Sequence, residues 1–395
     1  MTWFRLRYSI GHEGWSYLLM IVFVLVGAVF RDVNLLILLV GMMAGPFLMN
    51  WRLATLVVRR MQVRRQVAER VCAGDLLNVE LAAACPRMPF QLWAVAVADR
   101  VAPVDETRDD EPARVTTLMT NVPRDGVGHA SYRCLLTRRG RYRFGPLTVS
   151  TRFPFGLVRA SRRIDTPGEL LVCPRLGRLT ATFSEAVESE RAGSRQAQPR
   201  RGFVDGDYYA LRDWRSGDSQ RWIHWRTTAK RDELTVREFE EQRHRDVAML
   251  VDLWQPERPS ESVRGRVELA LSFAATVVSD VCRRGARQFA LALCGDESHV
   301  ASGPTSMLMA QEFLDRMAVV RGSDEPDWET ALGQLLAQLR RDSRIIVVTT
   351  STKRMERLRT QAVQSAGDRR VQALIRDALW LDVSSPEFAR YFQVD

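Results

Sequence analysis

The sequence predicts a multidomain protein with an N-terminal two-helix transmembrane hairpin, an antiparallel β-sandwich and a C-terminal doubly wound α/β domain. Three observations carry this prediction. Two long uncharged apolar runs lie near the N-terminus, short alternating apolar segments fill the middle, and buried-strand patterns alternate with helix patterns towards the C-terminus. At about 100–200 residues per domain, the 395 residues suffice for several separate cores.

The hairpin is predicted within residues 1–51. The run Gly14–Phe30 has 17 residues, the run Val33–Trp51 has 19, and neither contains a charge. As helices they would span about 25 and 28 Å, close to the hydrocarbon thickness of a bilayer. One alternative is a buried helical pair, which two adjacent charge-free runs disfavour. The other is a cleaved signal peptide, which the second run and the missing small-x-small site disfavour.

Basic residues flank both runs. Arg5 and Arg7 precede the first run, and a basic juxtamembrane segment, 52–70, follows the second with Arg52, Arg59, Arg60, Arg64 and Arg65. The positive-inside rule predicts a multi-pass protein of the cytoplasmic membrane, with both flanks and all later domains in the cytoplasm. The arginine cluster at 59–65 is predicted to contact anionic membrane lipid. Six cysteines without a CxxC pair agree with a reducing compartment.

The middle of the chain, residues 71–183, predicts the β-sandwich. Its short alternating segments are separated by turn residues at a spacing typical of antiparallel strands. They are Leu76–Leu81, Gln91–Val97, Val115–Met119, Tyr132–Leu136, Tyr142–Val149 and Glu169–Cys173. Residues 184–206 are polar, lack apolar periodicity and predict an exposed linker.

Residues 242–395 predict the α/β domain. Val247–Leu253, Phe289–Cys294 and Ile345–Thr350 are nearly continuous apolar runs, as buried parallel strands require. Amphipathic helices are predicted between and after them. They cover Ser262–Arg284, Met307–Val320, Trp328–Leu339 and the 354–376 region, before a last strand at Leu379–Val383. This alternation is typical of a doubly wound sheet.

Residues 207–241, which we call the signature segment, have an unusual composition. Six aromatic side chains alternate with seven basic ones, a pattern that could bind single-stranded nucleic acid by stacking and phosphate pairing. Eight acidic side chains in the same segment oppose a phosphate backbone and favour internal ion pairs or a protein partner. The net charge of +10 (57 − 47) adds little support for nucleic-acid binding. All basic residues except Lys230 and Lys353 are arginine, and such a bias is typical of a GC-rich genome. We therefore predict no nucleic-acid partner.

Two sets of motifs resemble a known family. The first set is Gly217-Asp218, Arg221, Ile223-His224-Trp225-Arg226, Ala229-Lys230, Leu234, Val236-Arg237 and Phe239-Glu240. The second set is Arg139-Gly140-Arg141-Tyr142, Gly145-Pro146-Leu147 and Pro154-Phe155-Gly156-Leu157. Together they resemble the bacterial membrane proteins grouped as domain of unknown function 58, over essentially the whole chain.

The resemblance implies that the C-terminal domain is von Willebrand factor A-like, and so Rossmann-like. It also implies a MoxR-type AAA+ ATPase as partner, in the assembly or maturation of an unidentified client protein. The interaction residues implied by the motifs, with Arg212 added from the same segment, are Arg212, Gly217, Asp218, Arg221, His224, Trp225, Arg226, Lys230, Arg237 and Glu240.

A metal site is not expected. Magnesium in an A-type domain is held by D-x-S-x-S after the first strand, since a hard cation needs clustered oxygens. Here Asp252 is retained, but Trp254 and Pro256 replace both serines. We predict no metal and no cofactor.

Enzyme motifs are also missing: the sequence has no G-x-S-x-G, Walker A, H-E-x-x-H or G-x-G-x-x-G. We predict a membrane-anchored, non-enzymatic adaptor. One alternative is a hydrolase around Asp218, His224 and Asp252, which would bring the three side chains into one cleft. The other is a binder of anionic polymers that uses the arginine-aromatic segment.

Overall fold

The structure is a computed structural model. It describes residues 6–31, 33–104, 112–188, 208–216, 218–239, 246–284, 288–339, 343–365 and 369–394. The chain divides into two compact units, Met1–Leu176 with Leu314–Val319, and Gly177–Phe313 with Val320–Asp395.

The first unit contains two helices and eleven strands within its described residues. They are β1 (Arg7–Ile10), α1 (His12–Arg31), α2 (Asn34–Arg60), β2 (Gln62–Val67), β3 (Arg70–Cys72), β4 (Leu76–Ala84), β5 (Leu92–Pro103), β6 (Ala113–Val122), β7 (Val127–Leu135), β8 (Gly140–Phe144), β9 (Leu147–Thr151), β10 (Val158–Ile164) and β11 (Gly168–Cys173).

The two apolar runs form α1 and α2, and both helices are long and apolar enough to cross a membrane. Their apolar side chains lie largely uncovered, and Phe23 and Phe30 are 77% and 84% exposed. Helix α2 continues nine residues past Trp51, so the predicted juxtamembrane segment begins as helix. An exposed apolar surface of this extent is typical of a site that contacts a membrane or another protein.

The hairpin is fixed to the first unit by two contacts with the loop that carries the Pro154-Phe155-Gly156-Leu157 motif. Asn50 of α2 donates from Nδ2 to the carbonyl of Phe153 (3.0 Å) and accepts at Oδ1 from the backbone N–H of Leu157 (2.8 Å). A Cβ at Gly14 of α1 would lie 2.1 Å from the carbonyl oxygen of Leu157, so only glycine permits this approach.

Strand β1, which the sequence pattern does not predict, lies before α1 and pairs antiparallel with β10. It belongs to an eight-stranded sheet ordered β1-β10-β9-β5-β8-β11-β3, with β6 paired to β5. A three-stranded sheet, β2-β4-β7, accompanies it, and apolar residues of both sheets form one core cluster. The predicted strand Tyr142–Val149 is two strands, β8 and β9, because Gly145-Pro146 interrupts it and proline has no N–H to donate.

One member of the 59–65 cluster, Arg65 of β2, does not face lipid as predicted, because its side chain is buried in an ion pair. Its guanidinium forms a bidentate ion pair with Asp99 of β5 at 2.6 and 2.8 Å, and lies over the ring of Phe144 at 4.4 Å. Tyr132 donates to the same carboxylate over 2.7 Å. Side-chain exposures of 4% for Arg65 and 1% for Asp99 make this an interior pair.

The remaining helices and strands belong to the second unit, apart from the last six residues of α6, which belong to the first. They are β12 (Arg178–Leu179), α3 (Ala181–Glu188), β13 (Tyr208–Asp213), α4 (Trp225–Arg231), β14 (Thr235–Phe239), β15 (Val247–Asp252), α5 (Glu261–Arg284), β16 (Gln288–Cys294), β17 (His299–Pro304), α6 (Met307–Val319), α7 (Trp328–Gln338), β18 (Arg344–Thr349), α8 (Thr352–Ser365), α9 (Arg369–Arg376), β19 (Leu379–Asp382) and β20 (Phe392–Gln393).

A five-stranded sheet, ordered β17-β16-β15-β18-β19, organises this unit. Strands β16, β15, β18 and β19 are parallel, and β17 is antiparallel at the edge. All six residues of β15 are buried, as its continuous apolar run predicts for a central strand. Since β16 and β18 lie on opposite sides of β15, the carboxyl ends of β15 and β18 meet at the switch point of the sheet.

Aromatic packing around α5 explains why residues 184–188 are helical rather than part of a linker. The ring of Phe273 lies 5.4 Å from that of Phe183 of α3, and 5.3 and 5.5 Å from Phe388 and Phe392. Helix α3 is therefore held to the core by a buried aromatic residue that local polarity does not reveal. The rest of the predicted linker, 189–206, lies outside the described residues.

Candidate functional site

The signature segment folds as an antiparallel ribbon, β13 with β14, whose connection holds a short 3-10 helix (Gln220–Trp222) and α4. Backbone bonds tie the connection to β14: His224 donates to Thr235 over 2.8 Å and Trp214 to Leu234 over 2.7 Å. Ile223 and Val236 are buried opposite one another. The ribbon therefore gives the polar side chains of the connection defined positions.

Asp218 is the structural centre of this connection. Its carboxylate accepts two hydrogen bonds from the guanidinium of Arg212, at 2.7 and 2.8 Å, and one from the backbone N–H of Arg215 at 2.8 Å. From sequence alone, Arg221 and Arg226 are the arginines expected to pair with carboxylates, within the protein or on a partner. The partner of Asp218 is instead Arg212, because the turn after β13 brings positions 212 and 218 together.

His224 caps α4. Its Nδ1 lies 2.7 Å from Oγ1 of Thr227 and accepts from the N–H of Thr227 at 3.3 Å. Helix α4 ends at Asp232, which adopts the left-handed conformation that aspartate tolerates at a helix terminus. The Nδ1 edge of the His224 ring therefore makes a structural contact.

The exposed part of the signature segment is cationic and aromatic. Trp225 is 66% exposed at the start of α4. The described surface of this segment also carries six exposed basic side chains, Arg215, Arg221, Arg226, Lys230, Arg231 and Arg237, against three acidic ones, Asp213, Asp232 and Glu233. Of the basic side chains, Arg221, Arg226, Lys230 and Arg237 have no ion pair with another described residue. Gly217 and Glu240, also predicted as interaction residues, lie outside the described residues.

Asp252 lies elsewhere in the second unit, at the carboxyl end of β15. Its Oδ2 accepts from Nε of Arg354, on the first turn of α8, over 2.7 Å. The side chain of Asp252 is fully buried, and that of Arg354 is 21% exposed. Burial raises the pKa of Asp252 to about 6, although the hydrogen bond and charge of Arg354 oppose this shift.

The hydrolase alternative would place Asp218, His224 and Asp252 in one cleft, and the structure gives each of the three a different hydrogen-bond partner. Asp218 binds Arg212, His224 binds Thr227, and Asp252 binds Arg354. Within the described residues there is also no group of three or more His, Cys, Asp or Glu side chains placed to hold a metal ion.

Residues 210–375, from the signature segment to α9, match the family model described as "Protein of unknown function DUF58". A curated relative, the uncharacterized protein YeaD of Bacillus subtilis (strain 168), is 24% identical over 249 residues. That alignment covers 63% of this chain and 59% of YeaD, so the chain matches about three fifths of its relative's length. Both matches support the DUF58 family.

Solved structures resemble the chain only distantly. A β-glucosidase from Listeria innocua with bound glucose has a TM-score of 0.20 at 9% identity, over 28% of this chain and 16% of its own. The CARDB domain of PF1109 from Pyrococcus furiosus has a TM-score of 0.17 at 11% identity, over 27% and 93%. The DNA glycosylase AlkC of Pseudomonas fluorescens, bound to abasic-site DNA, has a TM-score of 0.21 at 12% identity, over 41% and 43%. Scores this low carry no argument about this chain.

Sequence reasoning missed Arg354 as a site residue. A signal was present, because Lys353 and Arg354 lie within five residues of the end of a buried strand and no acidic residue occupies the first turn of α8. Basic side chains at the N-terminus of a helix are destabilised by the positive end of the helix dipole. Their presence there indicates that they serve a binding or structural role that outweighs this cost.

Proposed function

We propose that this chain is a membrane-anchored, non-enzymatic interaction protein whose parts outside the helical hairpin lie in the cytoplasm. The observation that carries the proposal is the position of β1. This strand precedes α1 and yet pairs with β10, which follows α2. The two ends of the helical pair therefore lie on one side, as a hairpin that crosses a membrane twice requires.

The orientation rests on charge. Arg59 and Arg60 end α2 and Arg7 lies in β1, so basic residues flank the hairpin on the side of the soluble units. No further candidate span is found in the described part of the chain. Under the positive-inside rule that side is the cytoplasm.

The soluble units are proposed to be a β-sandwich and a von Willebrand factor A-like domain. The shared core of the eight- and three-stranded sheets supports the first assignment. The parallel sheet with β15 at its centre supports the second. The likeness to domain of unknown function 58 supports a MoxR-type AAA+ ATPase as the partner and a further protein as the client.

The signature segment is the proposed docking surface for the ATPase. Tryptophan and arginine are enriched among residues that dominate binding energy at protein interfaces. Trp225 and Arg226 are neighbours, both are exposed, and the Asp218 and His224 contacts beneath them hold the connection in shape. The separate partners of Asp218, His224 and Asp252 support a non-catalytic role over the hydrolase.

The test is crosslinking in the native membrane, followed by detergent solubilisation and recovery of the full chain. We expect an AAA+ ATPase in the wild-type sample and a severalfold loss with Trp225→Ala/Arg226→Ala. Arg264→Ala, on the surface of α5, is the matched control and should leave recovery unchanged. Equal ATPase recovery from all three chains would contradict docking through this segment, and no ATPase in any sample would contradict the proposed partnership.

A further inference from the structure

The second unit has a cleft of about 420 Å³ at the switch point of its parallel sheet. Trp254 lines it from the loop after β15, Trp328 from the start of α7, and Ser351 from the loop between β18 and α8. Ligands of open α/β sheets bind outside the carboxyl ends of strands at such a point. The volume falls within the range of about 300–1,000 Å³ that is usual for binding sites.

The cleft is cationic. Lys353, Arg354 and Arg357 line it, and no acidic side chain does so among the described residues. All three lie in the first two turns of α8, where the positive end of the helix dipole adds to their field. The buried carboxylate of Asp252 neutralises only Arg354. Lys353 and Arg357 are exposed and form no ion pair with a described residue, so their charges face the cleft or the solvent uncompensated.

The walls of the cleft are aromatic. Trp254 and Trp328 are half-buried, so part of each indole remains accessible. The backbone of Trp254 is held by a bridge to Ser323, and Oγ1 of Thr350 donates to the carbonyl of Trp254 over 2.7 Å. These contacts fix one wall in place before any ligand arrives, which lowers the entropic cost of binding.

We propose that this cleft binds an acidic segment of a protein partner. A carboxylate of the segment pairs with Arg357 and Lys353 beside the guanidinium of Arg354, and an adjacent apolar side chain packs on the two indoles. Charge complementarity excludes a basic segment. The tryptophans favour a peptide over a free inorganic anion, which makes no use of apolar walls, and arginine and tryptophan are both enriched in protein interfaces. The inference rests on the proposed interaction role and adds a second contact surface to it.

The test uses the purified full chain in a non-ionic detergent and a fluorescein-labelled ten-residue peptide of alternating glutamate and leucine, followed by fluorescence anisotropy. We expect Lys353→Ala/Arg357→Ala to weaken binding by about tenfold or more. Arg359→Ala removes a charge from the same helix outside the cleft and should change affinity by less than about twofold. A peptide with glutamine in place of glutamate should bind much more weakly. Melting temperatures of all variants should match the wild type, because the substituted side chains are exposed.

Three outcomes would overturn the inference. One is an equal weakening of peptide binding by Arg359→Ala, which would show that the overall charge of the protein attracts the peptide. Another is binding of the glutamine peptide as tightly as the glutamate peptide. The third is displacement of the glutamate peptide by an equal concentration of pyrophosphate, which would show that the cleft binds small anions. The assay contains no ATPase, so its result is independent of the crosslinking test of the proposed function.

Discussion

Nε of Arg354 lies 2.7 Å from Oδ2 of Asp252, and this ion pair places a guanidinium beside the buried carboxylate at the carboxyl end of β15. Oδ1 of Asp252 has no hydrogen-bond partner within the described residues. The strand end therefore holds a buried charge compensated by a single cation from the neighbouring α8. Loss of either member leaves an uncompensated group at the centre of the sheet.

Arg354→Gln should destabilise the protein by about 3–5 kcal/mol, because it leaves the carboxylate of Asp252 buried without its partner. Urea unfolding of the full chain in detergent, followed by tryptophan fluorescence, measures the change. Arg357→Gln, one turn further along α8 and exposed, is the control and should cost less than about 0.5 kcal/mol. Equal effects of the two substitutions would show that the pair contributes nothing.

The raised pKa of Asp252 predicts a specific pH dependence. Its folded-state pKa of about 6 exceeds the ordinary value of 3.8 for an aspartate, so the folded state binds the proton more tightly than the unfolded state. The stabilisation that this proton provides is complete below about pH 4 and is lost as the pH rises through 6. Relative to Asp252→Asn, the wild type should gain on the order of 3 kcal/mol between pH 7 and pH 4. A difference between the two proteins that is constant with pH would contradict this.

The sequence predicted those elements whose signal is local. The apolar runs of α1 and α2 and the buried strands β15, β16 and β18 follow from composition alone, because no other environment suits such segments. Strand β1 was missed because its four residues, RYSI, are mostly exposed and are ordered only by pairing with β10, some 150 positions later. Strand β17 was missed because it lies at a sheet edge and lacks alternation.

The sequence predicted where the candidate site lies in the chain, but not which side chains form hydrogen bonds with each other there. The motif identified Asp218 and His224, and the structure gives both a defined local role. Their partners depend on turn geometry: Arg212 reaches Asp218 only because β13 turns back at residue 213. Arg65 shows the same limit, since a position in a basic cluster cannot reveal a carboxylate 34 residues further along the chain.

Asp218→Ala and Arg226→Ala should separate fold from docking. Asp218 is 7% exposed and binds Arg212 in bidentate fashion, so its loss should cost about 3 kcal/mol and reduce the yield of folded protein. Arg226 is exposed, and its loss should change stability by less than about 0.5 kcal/mol while partner recovery falls. Melting temperature and crosslinked recovery, measured on the same two samples, check both. If neither quantity moved in either variant, the signature segment would not carry the function.

Arg65→Ala should destabilise the first unit, whereas Arg64→Ala should not. The first change removes the bidentate partner of a buried carboxylate and should cost about 3–5 kcal/mol. The second removes an exposed neighbour on the same strand. Thermal unfolding of the two variants gives the comparison. An equal or larger effect of Arg64→Ala would contradict a stabilising role of the Arg65–Asp99 pair.

The proposed topology can be tested with cysteines placed at the two ends of the hairpin. Arg31→Cys lies at the end of α1, on the predicted outer turn, and Arg64→Cys lies on an exposed position of β2. A membrane-impermeant maleimide should label Arg31→Cys in intact cells and Arg64→Cys only after permeabilisation.

The native chain serves as the background control. Its six cysteines are buried or half-buried, and burial raises the pKa of each of these thiols. Little thiolate therefore forms near neutral pH, and the native cysteines should react slowly with maleimide on either side of the membrane. Labelling of Arg64→Cys in intact cells, with Arg31→Cys protected, would reverse the orientation. It would also remove the cytoplasmic ATPase from the possible partners, since the soluble units would then face the outside.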